Sequence, residues 1–232
     1  DLSAPDPGAD LSAPDPGADL SAPDPGATPD LAVGVGPHPR PWPDDPRLDP
    51  VLLAEGDRRN VLDRYRYWTV EAIVADLAPH RHEFAVAIEN WQHDLNIGTV
   101  VRTANAFAAA EVIIVGNRRW NRRGAMVTDR YQTISHVPSV ADLRALADER
   151  GLALVAVDNH PGAQSLESAV LPRRCILLFG QEGPGLTPDA LAAADVSYSI
   201  AQYGSTRSIN AGVAAGIAMH AWIWAHAAAP PR

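Results

Sequence analysis

From Phe84 onward, short continuous apolar runs alternate with longer amphipathic stretches, and no other feature narrows the possible folds as much. The segments in order are Phe84–Ile88, Asn96–Ala109, Val112–Val115, Val140–Arg150, Ala153–Val157, Cys175–Phe179, Pro188–Ala194, Val196–Ile200 and Asn210–Ala228. Strands buried on both faces read as unbroken apolar runs, and parallel neighbours need a crossover element between them. The alternation therefore predicts an α/β fold, a parallel sheet flanked by helices. Ile97, Val100, Val101, Ala104 and Ala108 recur at helical spacing and give the first of these helices its apolar stripe. Ser139 with Asp142 reads as a capping box, and Thr187 before Pro188 as an N-cap ahead of a first-turn proline.

Ahead of this region the chain changes character twice. Residues 1–27 are three copies of the nonapeptide DLSAPDPGA, and 13 of the first 50 residues are Pro. Pro removes backbone donors, Asp repels Asp, and the scattered Leu offers too little apolar surface to offset the entropy of ordering. Residues 1–50 are expected to be a disordered tail. Val61 to Leu77 returns to roughly helical spacing among basic and aromatic residues, so 51–82 reads as a basic helical arm, and 83–228 as the main domain.

Charge and cysteine usage exclude several chemistries. The formal charge of −9 is concentrated in the tail: residues 1–50 hold ten Asp against Arg40 and Arg47, while the remainder carries 18 acids and 17 bases. All 19 basic residues are Arg, so Schiff-base chemistry and a lysine-dependent phosphate loop are ruled out. The single Cys, Cys175, cannot form an internal disulfide, and Cys and His together give no zinc framework, so no metal is expected. Nothing at the start reads as a secretory signal, and a cytoplasmic location is expected. Ala211 to Ala229 is 19 residues without formal charge, but its Ala/Gly content and its two His favour a packed or interface helix over a membrane span.

Three segments could carry chemistry. Phe179-Gly180-Gln181-Glu182-Gly183-Pro184-Gly185-Leu186 lies between a strand and a helix, where open parallel sheets bind ligands. Its glycines permit close approach but lack the dinucleotide order, and a structural turn explains the loop equally well. Glu182 is its informative member, a carboxylate between glycines that can position a ligand or accept a proton. In the stretch from His93 to Ala104, Asn96 and Arg102 lie six residues apart, about 9 Å along a helix, and could face one cleft. In the segment from Tyr203 to Asn210, Ser208 and Asn210 read in isolation as helix caps.

Taken together, Asn96–Arg102, the 179–186 loop and the 204–214 loop, each after a strand, closely resemble the three motifs of the SpoU/TrmH branch of the SPOUT superfamily of RNA methyltransferases. The resemblance covers roughly residues 84–228. It implies a C-terminal trefoil knot, S-adenosyl-L-methionine as cofactor, methylation of a ribose 2′-hydroxyl of tRNA or rRNA, and a homodimer with composite sites in which the final helix is an interface. It further implies that Asn96, Arg102, Glu182, Ser208 and Asn210 are the active-site residues. The cofactor would be held around Val157, Gly180, Ile200 and Ile209. The chain departs from the commonest pattern in places: Gln181 stands where Asn is frequent and Ala201 where Pro is, which predicts a less rigid cofactor loop, and the stretch before Asn96 lacks the frequent Pro.

RNA needs cations, and two clusters offer them beside aromatic rings. Arg58, Arg59, Arg64 and Arg66 interleave with Tyr65, Tyr67 and Trp68, and Arg118, Arg119, Arg122 and Arg123 flank Trp120. The sequence therefore points to an RNA methyltransferase. A non-catalytic RNA-binding protein on the same fold and a base methyltransferase are the alternatives. A nicotinamide oxidoreductase is disfavoured, because no segment supplies its glycine fingerprint.

Overall fold

In the computed structural model, residues 34–91 and 96–228 are described, so the nonapeptide repeats lie outside the described residues. The chain divides into two units, Asp1–Tyr67 and Trp68–Arg232.

In the first unit, residues 34–50 are not the free tail expected of them. Val35 and Asp57 exchange backbone hydrogen bonds at 2.9 Å, the His38 N–H donates to the Leu53 carbonyl, and the Tyr67 hydroxyl donates to the Gly36 carbonyl. Asp49 caps a short helix, α1 (Pro50–Glu55), with Pro50 at its first turn. The centre of the unit is Asp57, whose fully buried carboxylate takes two bonds from the Arg59 guanidinium (2.9 and 2.7 Å) and backbone N–H bonds from Arg59 and Tyr67. Proline-rich composition misleads here because these contacts are long-range and carry no local periodicity. The expected helix over 61–77 is also interrupted. A 3-10 turn at Asp63–Tyr65 is followed by Tyr67 at φ 64°, and a second helix, α2 (Val70–Leu77), starts only after Thr69 caps it.

In the second unit, seven strands form one sheet in which every pair is parallel. They are β1 (Phe84–Asn90), β2 (Val112–Gly116), β3 (Ile134–Val137), β4 (Ala153–Val157), β5 (Gln164–Ser165), β6 (Cys175–Phe179) and β7 (Val196–Ser199). The helices are α3 (Asn96–Ala106), α4 (Val140–Arg150), α5 (Pro188–Ala193) and α6 (Ala211–His226). Spatial order is β3-β2-β1-β6-β4-β7-β5. The two-residue period of the strands divides the core cleanly. Phe84, Val86 and Ile88 face Ile97, Val101, Ala215, Met219 and Trp222 of α3 and α6, whereas Ala85 and Ala87 belong with Leu143, Ala147 and Ala190 of α4 and α5.

Both predicted caps are present. The Ser139 Oγ accepts from the Asp142 N–H, and the Thr187 Oγ1 accepts from the Ala190 N–H. Ala108 lies beyond the end of α3, with φ 49°, so the buried stripe stops at Ala104. Two strands were not anticipated, β3 and β5. Both are short edge strands, and β3 is half-buried with Ser135 and His136 together between Ile134 and Val137, which breaks the apolar run. No helix among the described residues is long and apolar enough to cross a membrane, and no group of potential metal ligands occurs among them. Cys175 is buried in the middle of the sheet, and burial pushes its thiol up to about 12.

Candidate active site

The carboxyl ends of β4, β6 and β7 converge on one crevice, as expected where an open parallel sheet reverses strand order. The loop after β6 is drawn into a tight turn by reciprocal backbone bonds between Gln181 and Gly185 (3.2 and 3.1 Å). A side chain at Gly180 would place its Cβ 2.1 Å from the Gly185 carbonyl carbon, so only glycine lets the two arms of the loop meet. Asp158, directly after β4, supports the far arm: its Oδ2 accepts from the Leu186 N–H at 2.7 Å, and its Oδ1 from the Asn159 N–H at 2.7 Å.

A second support comes from β1. Glu89 is fully buried, and its carboxylate accepts from the Thr187 N–H (2.8 Å), the Thr187 hydroxyl (2.7 Å) and the Trp91 indole N–H (3.0 Å). The Trp91 backbone N–H in turn donates to Gln181 Oε1 at 2.9 Å. Gln181, where Asn is frequent in the resembled pattern, therefore ties its loop to the end of β1. Ala201, where Pro is frequent there, donates its N–H to Glu167 Oε1 at 2.8 Å, a bond that Pro could not make. The Ser165 hydroxyl, chief among its donors, holds the Glu167 carboxyl below the usual range. Sequence reasoning missed Glu89, Asp158 and Glu167. The signal for Glu89 was present, an acid inside an otherwise apolar strand run.

Three of the expected active-site residues are joined directly. The Asn96 amide donates to Glu182 Oε2 at 2.8 Å, and the Asn210 amide donates to Asn96 Oδ1 at 2.8 Å. Asn210 Oδ1 accepts from the Gly212 and Val213 N–H groups, so the same residue caps α6. A relay thus runs from the start of α6 through the first turn of α3 to the 179–186 loop. Beside it lies a cavity of about 430 Å³ whose walls include Val157, Gly180, Ile200 and Ile209, together with Glu182, Ser208 and Asn210. Its size suits a small-molecule or cofactor site. Gln202 Oε1 also belongs to this wall and is buried without a hydrogen-bond partner among the described residues, an acceptor available to a bound molecule.

Arg102 does not join them. It is exposed on α3, does not line the cavity, and has no ion-pair or hydrogen-bond partner among the described residues. The expectation that Asn96 and Arg102 could face one cleft is not met within this chain. Six residues at about 100° each leave the two roughly 120° apart around the helix.

The basic clusters also separate on inspection. Arg59 is held by Asp57, Arg66 by Asp63 (3.4 Å) and the Arg59 carbonyl (2.6 Å), and Arg64 donates to the Tyr65 hydroxyl at 2.7 Å while lying over that ring. Arg58 alone of those four is exposed without such a partner among the described residues. In the other cluster Arg118, Arg119, Arg122 and Arg123 are all exposed, with Arg122 reaching Asp129 at 3.5 Å.

Residues 83–220 match a family model described as the SpoU rRNA Methylase family. Among characterised relatives, a tRNA (guanosine(18)-2'-O)-methyltransferase of Escherichia coli (strain K12) is 26% identical over 147 residues, which cover 62% of this chain and 64% of that relative. Among solved structures, the A. aeolicus TrmH/SpoU tRNA modifying enzyme is similar with a TM-score of 0.58 and 20% identity, covering 66% of this chain and 79% of that one. The SpoU methyltransferase AviRb from Streptomyces viridochromogenes, in complex with AdoMet, follows with a TM-score of 0.56 and 24% identity, covering 64% and 60%. At these identities the two structures speak for the fold.

Proposed function

Because this chain belongs to the SpoU rRNA methylase family, we propose that it is an S-adenosyl-L-methionine-dependent RNA methyltransferase that modifies a ribose 2′-hydroxyl of tRNA or rRNA. The observation that carries the reading is the Glu182–Asn96–Asn210 relay at the rim of the cavity. The relative from E. coli, named for 2′-O-methylation of a tRNA guanosine, supports the ribose as target.

The cavity fits the cofactor in three respects: the apolar walls of Val157, Ile200 and Ile209, the glycine turn at Gly180, and the unpartnered Gln202 acceptor. When bound, S-adenosyl-L-methionine supplies an activated sulfonium methyl group. The chain's own residues then have to align the 2′-oxygen and assist loss of its proton. Asn96 fixes Glu182 at the rim of the cavity through Oε2, and this carboxylate, the acid of the glycine loop, is the proton acceptor on the protein. Asp158 lines the same cavity, but both of its oxygens accept backbone N–H bonds, which leaves it a structural part. Ser208 and Asn210 orient the loop before α6.

Arg102 remains protonated in any protein setting, so its role is to anchor a phosphate and stabilise the developing alkoxide. Since it does not reach the cavity of its own chain, it acts in the site of a second subunit. This is the composite homodimer expected from the resemblance. Val213, Ile217 and Trp224, exposed on α6 at 53%, 40% and 85%, offer the apolar face for that contact. Threading of the carboxyl-terminal segments into a trefoil knot and a cytoplasmic setting complete the proposal.

The test is incubation of the full chain with methyl-labelled S-adenosyl-L-methionine and bulk tRNA or rRNA, followed by mass spectrometry of the nucleosides. A 2′-O-methylated nucleoside is the expected product. Label on a base redirects the reading to a base methyltransferase, and RNA binding without label leaves a non-catalytic RNA-binding protein.

A further inference from the structure

The segment between β2 and β3 contains a feature that the cofactor cavity does not explain. Met126 and Val127 both adopt the left-handed region, with φ 47° and 69°, although neither is Gly and Val is β-branched. Both side chains are exposed, at 61% and 52%. A pair of apolar residues at a protein tip, in a conformation their side chains resist, persists only where its surroundings enforce it.

The surroundings do so from both sides. A 3-10 turn at Arg123–Ala125 precedes the pair and another at Thr128–Arg130 follows it. The Thr128 hydroxyl clamps back onto the Ala125 carbonyl at 2.6 Å. The base of the loop is fixed to β1, where the buried Asn90 amide donates to the Asn117 and Arg119 carbonyls at 2.6 and 2.8 Å. Its far side presses on the first turn of α3: a Cβ on Gly98 would lie 2.6 Å from the Ala125 nitrogen. That turn also carries Asn96, so the tip is positioned by the same helix end as the Glu182 relay.

The chemistry around the tip is cationic. Arg118, Arg119, Arg122, Arg123 and Arg130 are exposed between residues 117 and 131, where Asp129 is the only acid. We infer that Met126 and Val127 form a preset apolar tip that takes an unstacked RNA base beside the target nucleotide, while the surrounding arginines hold the flanking phosphates. The inference rests on the methyltransferase reading and adds to it the class of RNA, one with a splayed single-stranded nucleotide rather than a continuous duplex. A second copy of the chain is a poorer occupant, because a twofold contact here would set these arginines against their own counterparts.

Substitution by glycine separates this role from a merely structural one. Gly adopts φ > 0 without penalty, so Val127→Gly and Met126→Gly should raise the melting temperature of the full chain by about 2–4 °C. Each should nevertheless weaken binding of a stem–loop RNA by about five- to tenfold, equally at low and moderate salt, because an apolar contact releases no counterions. Val127→Asn, which tolerates the same backbone, should weaken binding similarly. Arg123→Ala should instead reduce the salt dependence. A fully paired RNA of the same length should bind the parent and the glycine variants alike. Equal stem–loop affinity in parent and variants overturns the inference while leaving the methyltransferase reading intact, and so does a glycine variant that changes molar mass by light scattering. A parent chain that binds neither RNA overturns both.

Discussion

Asn96 uses both ends of one amide, donating to Glu182 and accepting from Asn210, and this fixes its orientation as well as theirs. A buried amide with both ends engaged is costly to disturb, because truncation leaves partners unsatisfied. Asn96→Asp removes the donor to Glu182 and places a second carboxylate against it, so turnover should fall by about a hundredfold at neutral pH, as read by methyl incorporation. Arg102→Ala should abolish methyl transfer while leaving cofactor affinity unchanged in calorimetric titration, and full retention of activity would remove Arg102 from the site. The types of these residues were legible in the sequence because their motifs are local. The placement of Arg102 was legible only in part: six residues set it roughly 120° from Asn96 around α3, but the packing of α3 decides which of the two faces the site. Asp158 and Glu167 were hidden because the backbone groups they hold lie 28 and 34 residues away; Glu89 showed as an acid closing an apolar run, but its partner Thr187, 98 residues on, did not.

At the scale of elements, the glycine turn after β6 is set by steric exclusion. Gly180→Ala would force a methyl into the Gly185–Leu186 backbone, so the loop should open and cofactor binding should be lost, while circular dichroism retains the sheet signal. Asp57 performs the comparable task in the first unit. Burial pushes its carboxyl up, but the Arg59 guanidinium and the N–H groups of Tyr67 and Arg59 outweigh this and bring it down to about 2. A carboxyl lower in the folded state than in the unfolded chain stabilises above the ordinary carboxylate range, and the benefit vanishes as the pH falls from about 4 towards 2. Protection of residues 34–67 from hydrogen exchange, relative to the unfolded chain at the same pH, should therefore fall over that acid window in the parent, and Asp57→Ala should cost about 3 kcal/mol at neutral pH. An acid response identical in parent and Asp57→Ala would show that the cluster is not what orders the unit. The apolar runs and caps of the second unit were readable because each is a property of a few consecutive residues. The short edge strands and the proline-rich stretch were not, because pairing with distant chain decides their structure.

At the scale of the whole molecule, the composite site proposed above would make activity depend on association. The parent should have the mass of a dimer by light scattering, and Trp224→Glu should yield a monomer that binds cofactor but transfers no methyl group. A parent that is both monomeric and active would require another route for Arg102.

The strand order has a consequence for how the molecule is made. Central β6 pairs with β1 on one side and β4 on the other, yet it leaves the ribosome after both. Its two neighbours must hold a strand-wide slot until it arrives, or separate to admit it, and non-local closures of this kind are slow. A nascent chain ending before Cys175 would therefore expose two unpaired ladders, a template for chaperone capture or for the wrong strand, and the yield of folded protein would be decided by the seconds before synthesis reaches Phe179.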